Sequence, residues 1–303
     1  MTKKLNLSRR QWLTKVGQLS AASAAITAFP AIASNAAAHV VVVGGGFGGA
    51  TAARYIKRLN QNIKVTLIEP AKTFYTCPFS NMVLAGLRSM EQIAHNYDDL
   101  KAFGIEVVHD YVTAVDADKK SVRLKDNSEL AYDKLLLSPG IDFKWGALEG
   151  YDEAAAQLAP HAWKAGEQTM LLKKQLEAMP DNGKFVMVVP EATFRCPPGP
   201  YERASMVAHY LKHHKPKAKL IILDAQDNFS KQGLFEQGWE KFYSDIIERI
   251  PLSLGGKVNR IDANTLEAET EFGDIVRADV LNVIPPQRAG LIAHQAGVTD
   301  NSL

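Results

Sequence analysis

Only two cysteines occur in 303 residues, Cys77 and Cys196. So few, so far apart, exclude a Cys-x-x-Cys-His haem attachment and a Cys/His zinc cluster. They also exclude the close pair, such as C-x4-C, of a disulfide reductase working through its first domain. A charge excess is missing too. The net of +2 arises in the first 38 residues, which carry Lys3, Lys4, Arg9, Arg10 and Lys15 and no acid. Taking those five from 35 basic residues leaves 30 against 33 acidic ones. Nothing in that balance suggests nucleic acid or a membrane surface as partner. Beyond the N-terminus no apolar run reaches membrane-spanning length, so no membrane span is expected.

What is present centres on Val40 to Glu69. Val40-Val41-Val42-Val43 reads as a buried parallel strand. Gly44, Gly46 and Gly49 then match G-x-G-x-x-G, with Phe47 inside the loop. The first glycine allows the tight turn, the second lets a pyrophosphate approach, and the third lets helix and strand pack closely. Ala50 to Leu59 reads as a helix with Ala52, Ile56 and Leu59 on one face, its N-terminus offering free N–H groups to phosphate. A second strand, Lys64 to Ile68, ends in Glu69, set to bond a ribose hydroxyl. The whole unit predicts dinucleotide binding.

Ahead of it, Ser8-Arg9-Arg10-Gln11-Trp12-Leu13 has the twin-arginine pattern. A weakly apolar stretch follows to Ala33, with small residues around Ala31–Ala33 and Ala36–Ala38 as cleavage sites. Export to the periplasm is the expectation.

After Glu69, Phe74 to Phe79 reads as an aromatic-rich loop where a cofactor ring could lie. Ser89 and Gln92 have capping-box spacing, predicting a helix with Ile93, Tyr97 and Leu100 on one face that stops at Gly104. Strands follow at 105–108, 111–124 and 129–137, ending on Ser138-Pro139-Gly140. That turn resembles the exit from the first domain of flavoproteins with two dinucleotide-type domains. A helix over 168–179 and a strand over 185–189 begin a second such domain. Pro190 to Pro200 follows where a second glycine fingerprint would stand, and its prolines lack the N–H groups of a phosphate cradle. Tyr201 to His214 is the next helix and Leu220 to Asp224 the next strand. Trp239, Phe242, Tyr243, Ile246, Ile247 and Ile250 recur at helical spacing and read as core. Short strands are expected over 252–284.

The cysteines have three open readings: inert buried thiols, a structural disulfide, or two separately reactive sulfurs, Cys77 at a flavin's edge and Cys196 facing its ring. Glu202, in the first turn after Cys196, is either a helix-dipole partner or a carboxylate able to take a proton near Cys196. His209 and His213 stand at i, i+4 and read as a solvated helix end rather than a metal site.

Val40 to Ala50, Tyr75-Thr76-Cys77-Pro78, Phe194 to Glu202 and Ile284 to Ala289 together resemble the flavoprotein subunit of flavocytochrome c sulfide dehydrogenase. The resemblance implies an α/β chain of two Rossmann-type domains of the glutathione-reductase-like kind. It implies FAD held covalently through Cys77 by a thioether, and Cys196 as half of a redox disulfide. Gly44, Gly46, Phe47, Gly49, Glu69 and Gly140 would line the FAD site, with Cys196 and Glu202 as catalytic groups. It further implies oxidation of sulfide and electron transfer to a c-type cytochrome subunit, a separate chain carrying the haem. A sulfide:quinone oxidoreductase-like enzyme and an inactive flavin-binding remnant are the alternatives. The family continues well past Leu303, where its second redox cysteine lies, so the C-terminal part is expected to be missing. The resulting division is a signal over 1–38, the first part of an FAD domain over 39–150, a dinucleotide-like domain over 151–285 and the start of a return over 286–303.

Overall fold

Two parallel four-stranded sheets organise residues 37–300, which the computed structural model describes. The twin-arginine segment and the expected cleavage region up to Ala36 lie outside them. In chain order the first half comprises β1 (His39–Val43), α1 (Phe47–Leu59), β2 (Lys64–Ile68), β3 (Phe74–Tyr75), α2 (Cys77–Leu84), β4 (Ala94–His95), α3 (Asp98–Ala102), β5 (Glu106–Val108), β6 (Val112–Asp116), β7 (Ser121–Leu124), β8 (Glu129–Ala131), β9 (Lys134–Leu137) and β10 (Ile141–Phe143). The second half comprises α4 (Glu167–Ala178), β11 (Lys184–Val189), α5 (Gly199–His214), β12 (Lys219–Asp224), α6 (Gln232–Tyr243), β13 (Ile247–Ile250), β14 (Val258–Asp262), β15 (Glu267–Thr270), β16 (Ile275–Arg277), β17 (Val280–Val283), β18 (Gln287–Ala289) and α7 (Leu291–Gln295).

The first sheet runs β5-β2-β1-β9, all parallel. Alternation decides its layers. Val41, Val43 and Ile68 face the antiparallel β6-β7-β8 sheet and α7, while Val42, Val65 and Leu67 face Ala53 of α1 and Tyr97. Val41, Val42 and Leu67 are completely buried, each contributing about 1.5–3 kcal/mol. The second sheet repeats the plan as β13-β12-β11-β17, with β11 buried from Phe185 onward. This is a tandem Rossmann-type α/β fold. After β17 the chain returns toward the first half: β18 pairs antiparallel with β10, and the Gly290 N–H donates to the Gly140 carbonyl at 2.9 Å. Among the described residues no helix is long and apolar enough to cross a membrane.

Four local expectations are corrected. Helix α1 starts at Phe47, inside the glycine loop, and its buried positions are Gly49 and Ala53, with Leu59 exposed. Residues 74–79 are not one loop: β3 pairs with β4, and Cys77 already opens α2. The Ser89–Gln92 capping box forms, but it starts only a 3-10 turn at Glu91–Ile93. Pairing of β4 with β3 outcompetes the helix beyond it, although Ile93 and Tyr97 are buried as the spacing suggests. Finally, the helical spacing through Ile250 ends at Tyr243; Ile247 to Ile250 is β13, drawn into the parallel sheet beside β12.

Candidate functional site

The glycine loop is built by contact. Gly44 has φ +97°, and a Cβ there would lie 2.1 Å from the Ser138 carbonyl oxygen. A Cβ on Gly49 would lie 1.8 Å from the Gly44 oxygen, so this glycine is what seats α1 against β1. Gly46 is different: its Cβ would meet only Phe74, at 3.8 Å, leaving open backbone at the start of the helix. Glu69, at the end of β2, accepts from the Gly45 N–H at 2.7 Å through Oε2 and from the Ala71 N–H at 2.9 Å through Oε1. Tyr97 donates to the Gly45 carbonyl at 3.2 Å, and burial followed by the Glu69 charge pushes its hydroxyl pKa up. Each Glu69 oxygen retains lone-pair capacity for a ribose hydroxyl. Accessible Gly46, the α1 N-terminus and this acid fit a dinucleotide.

Phe47, the first residue of α1, is 59% exposed and packs edge-on against Phe74. It also opens onto a cavity of about 200 Å³, whose lining includes Cys77, Trp163, Cys196, Glu202 and Arg203. Cys77 is half-buried at the first position of α2, and both cysteines are free thiols. The Cys77 thiol donates to the Trp163 carbonyl at 3.3 Å, and the Arg195 guanidinium donates to the Cys77 sulfur at 3.3 Å and to the same carbonyl. Cys196 is exposed in a left-handed conformation, φ +61°. Although the residue as a whole is exposed, it lines the cavity and is partly desolvated there; that desolvation first and the Glu202 carboxylate second push its thiol pKa up, against the Gly199 N–H and Arg195, which pull it down. Trp163 also lines the cavity, and its Nε1 is buried without a hydrogen-bond partner. Gly140 lies outside the lining, in a left-handed turn at φ +70°. His209 and His213 face each other on α5, and the described residues hold no metal-binding cluster.

Sequence reasoning missed the centre of the site. Arg203 is 1% exposed and donates to Asn81 Oδ1 at 3.1 Å, the His161 carbonyl at 2.8 Å, Asn282 Oδ1 at 3.1 Å and the Ala162 carbonyl at 2.6 Å. One guanidinium thus ties α2, β17 and the segment ahead of α4 together, and burial lowers its pKa. The signal was available: Arg203 shares a helical stripe with Val207 and Leu211, where an apolar side chain is the norm.

In the second sheet, Asp224 ends β12 as Glu69 ends β2, but it is completely buried. It accepts from the Tyr201 hydroxyl at 2.9 Å and from Arg249 Nε at 2.8 Å. Tyr201 stacks on Phe229 with centroids 3.5 Å apart. The acid that could hold a second ribose is consumed internally, and no glycine cradle precedes it.

Two family models match: pyridine nucleotide-disulphide oxidoreductase over residues 38–179, and sulfide dehydrogenase (flavocytochrome c) flavoprotein chain, central, over 169–285. A mitochondrial sulfide:quinone oxidoreductase of Dictyostelium discoideum is 25% identical over 260 residues, 82% of this chain and 56% of that protein. A flavocytochrome c sulfide dehydrogenase flavoprotein chain of Chlorobaculum thiosulfatiphilum is 64% identical over 45 residues, 15% of this chain and 94% of that sequence. The sulfide:quinone oxidoreductase structure from Aquifex aeolicus superposes with a TM-score of 0.69 at 22% identity, over 86% of this chain and 61% of that one. The chain therefore spans a little over half the length of the relatives that align along most of it.

Proposed function

This chain belongs to the FAD-binding superfamily of sulfide:quinone oxidoreductases and flavocytochrome c sulfide dehydrogenases, and on that premise we propose that it oxidises sulfide. The observation that carries the reading is the shared cavity of Cys77, Cys196 and Glu202, opening onto Phe47 at the start of the nucleotide helix. In this reading the loop from Gly44 to Gly49 and Glu69 hold FAD, and Cys77 anchors it by a thioether. Cys196, exposed beside the Arg195 cation, meets hydrosulfide. A sulfur–sulfur bond forms between them: thiol plus hydrosulfide becomes a persulfide, one proton and two electrons. Glu202 is the acceptor for that proton. FAD held by these residues would supply the two-electron acceptor for that oxidation and the relay to a final acceptor.

For that acceptor a quinone is the better supported reading, because relatives aligning over most of the chain are named as quinone reductases. A c-type cytochrome subunit is the second reading, favoured by the central family model and the 64% identical segment. Export by the twin-arginine route to the periplasm accompanies either. The deciding experiment adds sulfide anaerobically to flavin-loaded protein, then a short-chain quinone or cytochrome c. Bleaching by sulfide, then faster reoxidation by the quinone, is expected. Reoxidation by cytochrome c alone transfers support to the second reading. A flavin that sulfide leaves oxidised overturns both and leaves a flavin-binding remnant.

A further inference from the structure

The return strand β18 reaches the loop that carries Arg195 and Cys196 through one side chain. Pairing with β10 sets Gln287 opposite Phe143 and Arg288 opposite Asp142. Gln287 is 5% exposed, and its Oε1 accepts from the Arg195 backbone N–H at 2.9 Å. A backbone N–H requires an acceptor, so that contact fixes which end of the amide faces Arg195. The other end, Nε2, is buried and has no hydrogen-bond partner, so the oxygen alone is engaged. Residues 190–198 form neither helix nor strand, and Arg195 takes its backbone acceptor from a side chain 92 residues further along.

The sulfur lies one contact beyond. The Arg195 guanidinium donates to Cys77 Sγ at 3.3 Å and to the Trp163 carbonyl, which also receives the Cys77 thiol. The same β10–β18 ribbon braces the Trp163 side. Asp142 of β10 accepts at 3.1 Å from Nζ of Lys164, next in sequence to Trp163, and Arg288 of β18 lies 3.6 Å from that carboxylate. Both groups hydrogen-bonded to the Cys77 sulfur are therefore tied to one pair of strands. The ion pairs around Asp142 are partly exposed and contribute little. Gln287 is buried, and its loss leaves a backbone donor unsatisfied.

We propose that Gln287 is a positioning residue for Cys77: through the Arg195 backbone, its side-chain oxygen holds the guanidinium on the sulfur. The proposal deepens the reading of Cys77 as the flavin anchor, and it rests on that reading only for the first of two measurements.

Gln287→Met keeps the length of the side chain and removes the acceptor. Val122→Ala, in the core behind the first sheet, controls for lost stability alone. Intact mass of the full chain under denaturing conditions comes first. Where the unaltered protein carries covalent FAD, Gln287→Met should attach it about tenfold more slowly yet retain releasable FAD, because one buried hydrogen bond is lost and the nucleotide loop is untouched. Where the unaltered protein has the bare mass, the thioether reading fails, and alkylation of Cys77 tests Gln287 instead. The ratio of its rates with iodoacetate and with iodoacetamide cancels access and thiolate fraction, and reports a cation held at the sulfur. Gln287→Met should lower that ratio severalfold. Val122→Ala should leave both readouts near those of the unaltered protein. Should Gln287→Met fail to fold, Gln287→Asn, which withdraws the acceptor by one carbon, takes its place. A Gln287 variant that matches the unaltered protein overturns the proposal. So does a Val122→Ala variant that shifts as far as Gln287→Met.

Discussion

Asn81 donates to the Glu202 carboxylate at 2.9 Å while its own oxygen receives Arg203 Nε at 3.1 Å. One amide in α2 thus orients two neighbouring charged side chains of α5, and it does so from the other half of the fold. Replacing it with leucine, of similar volume, leaves a buried guanidinium donor unsatisfied. Asn81→Leu should lower unfolding stability by about 1–3 kcal/mol, read as a lower urea midpoint. An unchanged midpoint would mean that water or another side chain replaces the amide.

Cys196 carries the next prediction. Burial and the Glu202 charge both disfavour its thiolate, so its pKa lies above the ordinary thiol range. Alkylation by iodoacetamide should therefore be slow at neutral pH and rise as pH climbs through that raised value. Glu202→Gln removes the repulsive charge but not the burial. The midpoint of the pH–rate profile should move down, and alkylation at neutral pH should quicken, followed at Cys196 by peptide mass spectrometry. A profile that stays in place would show that Glu202 does not act on this sulfur.

The second and third glycines of the nucleotide motif separate folding from binding. Gly49→Ala drives a methyl to 1.8 Å from the Gly44 carbonyl oxygen, a backbone atom that cannot move without parting α1 from β1. That variant should be strongly destabilised or insoluble. Gly46→Ala meets nothing closer than 3.8 Å and should fold with near-native stability. Its methyl stands where a pyrophosphate needs bare backbone, so flavin retention after desalting should fall sharply. Flavin retained in Gly46→Ala would move the phosphate site elsewhere.

Much of this fold was legible because its signals are local. A four-valine run, a glycine loop and a terminal acid specify β1, α1 and β2 without help from the rest of the chain. The misreadings share one cause, competition from a distant partner. Ser89 and Gln92 cap a turn as their spacing indicates, but β3, nearly twenty residues earlier, claims Ala94–His95 as a strand. Ile247 and Ile250 continue a helical rhythm, yet β12 offers backbone partners and a buried edge. The candidate site divides the same way. Cys77, Cys196 and Glu202 stand out by residue type, whereas Arg195, Arg203 and Asn81 matter through pairings between segments far apart in the chain.

The last prediction concerns Cys77. Its sulfur sits at the mouth of α2, held by the Trp163 carbonyl and the Arg195 guanidinium in the cavity that opens onto Phe47. Thioether formation needs the sulfur fixed against an electrophilic carbon, and these contacts restrict its motion as such a reaction requires. Intact mass measured under denaturing conditions should exceed the polypeptide mass by one FAD. Cys77→Ser should return to the bare mass while keeping releasable flavin under native conditions, because the loop from Gly44 to Gly49 and Glu69 are untouched. Arg195→Met should slow attachment rather than abolish it, visible as a mixture of loaded and bare chains. A bare mass in the unaltered protein that nevertheless releases FAD would make Cys77 a free thiol facing a non-covalent flavin. The sulfur would then be available for exchange with Cys196, and the two cysteines would have to be tested together as a dithiol.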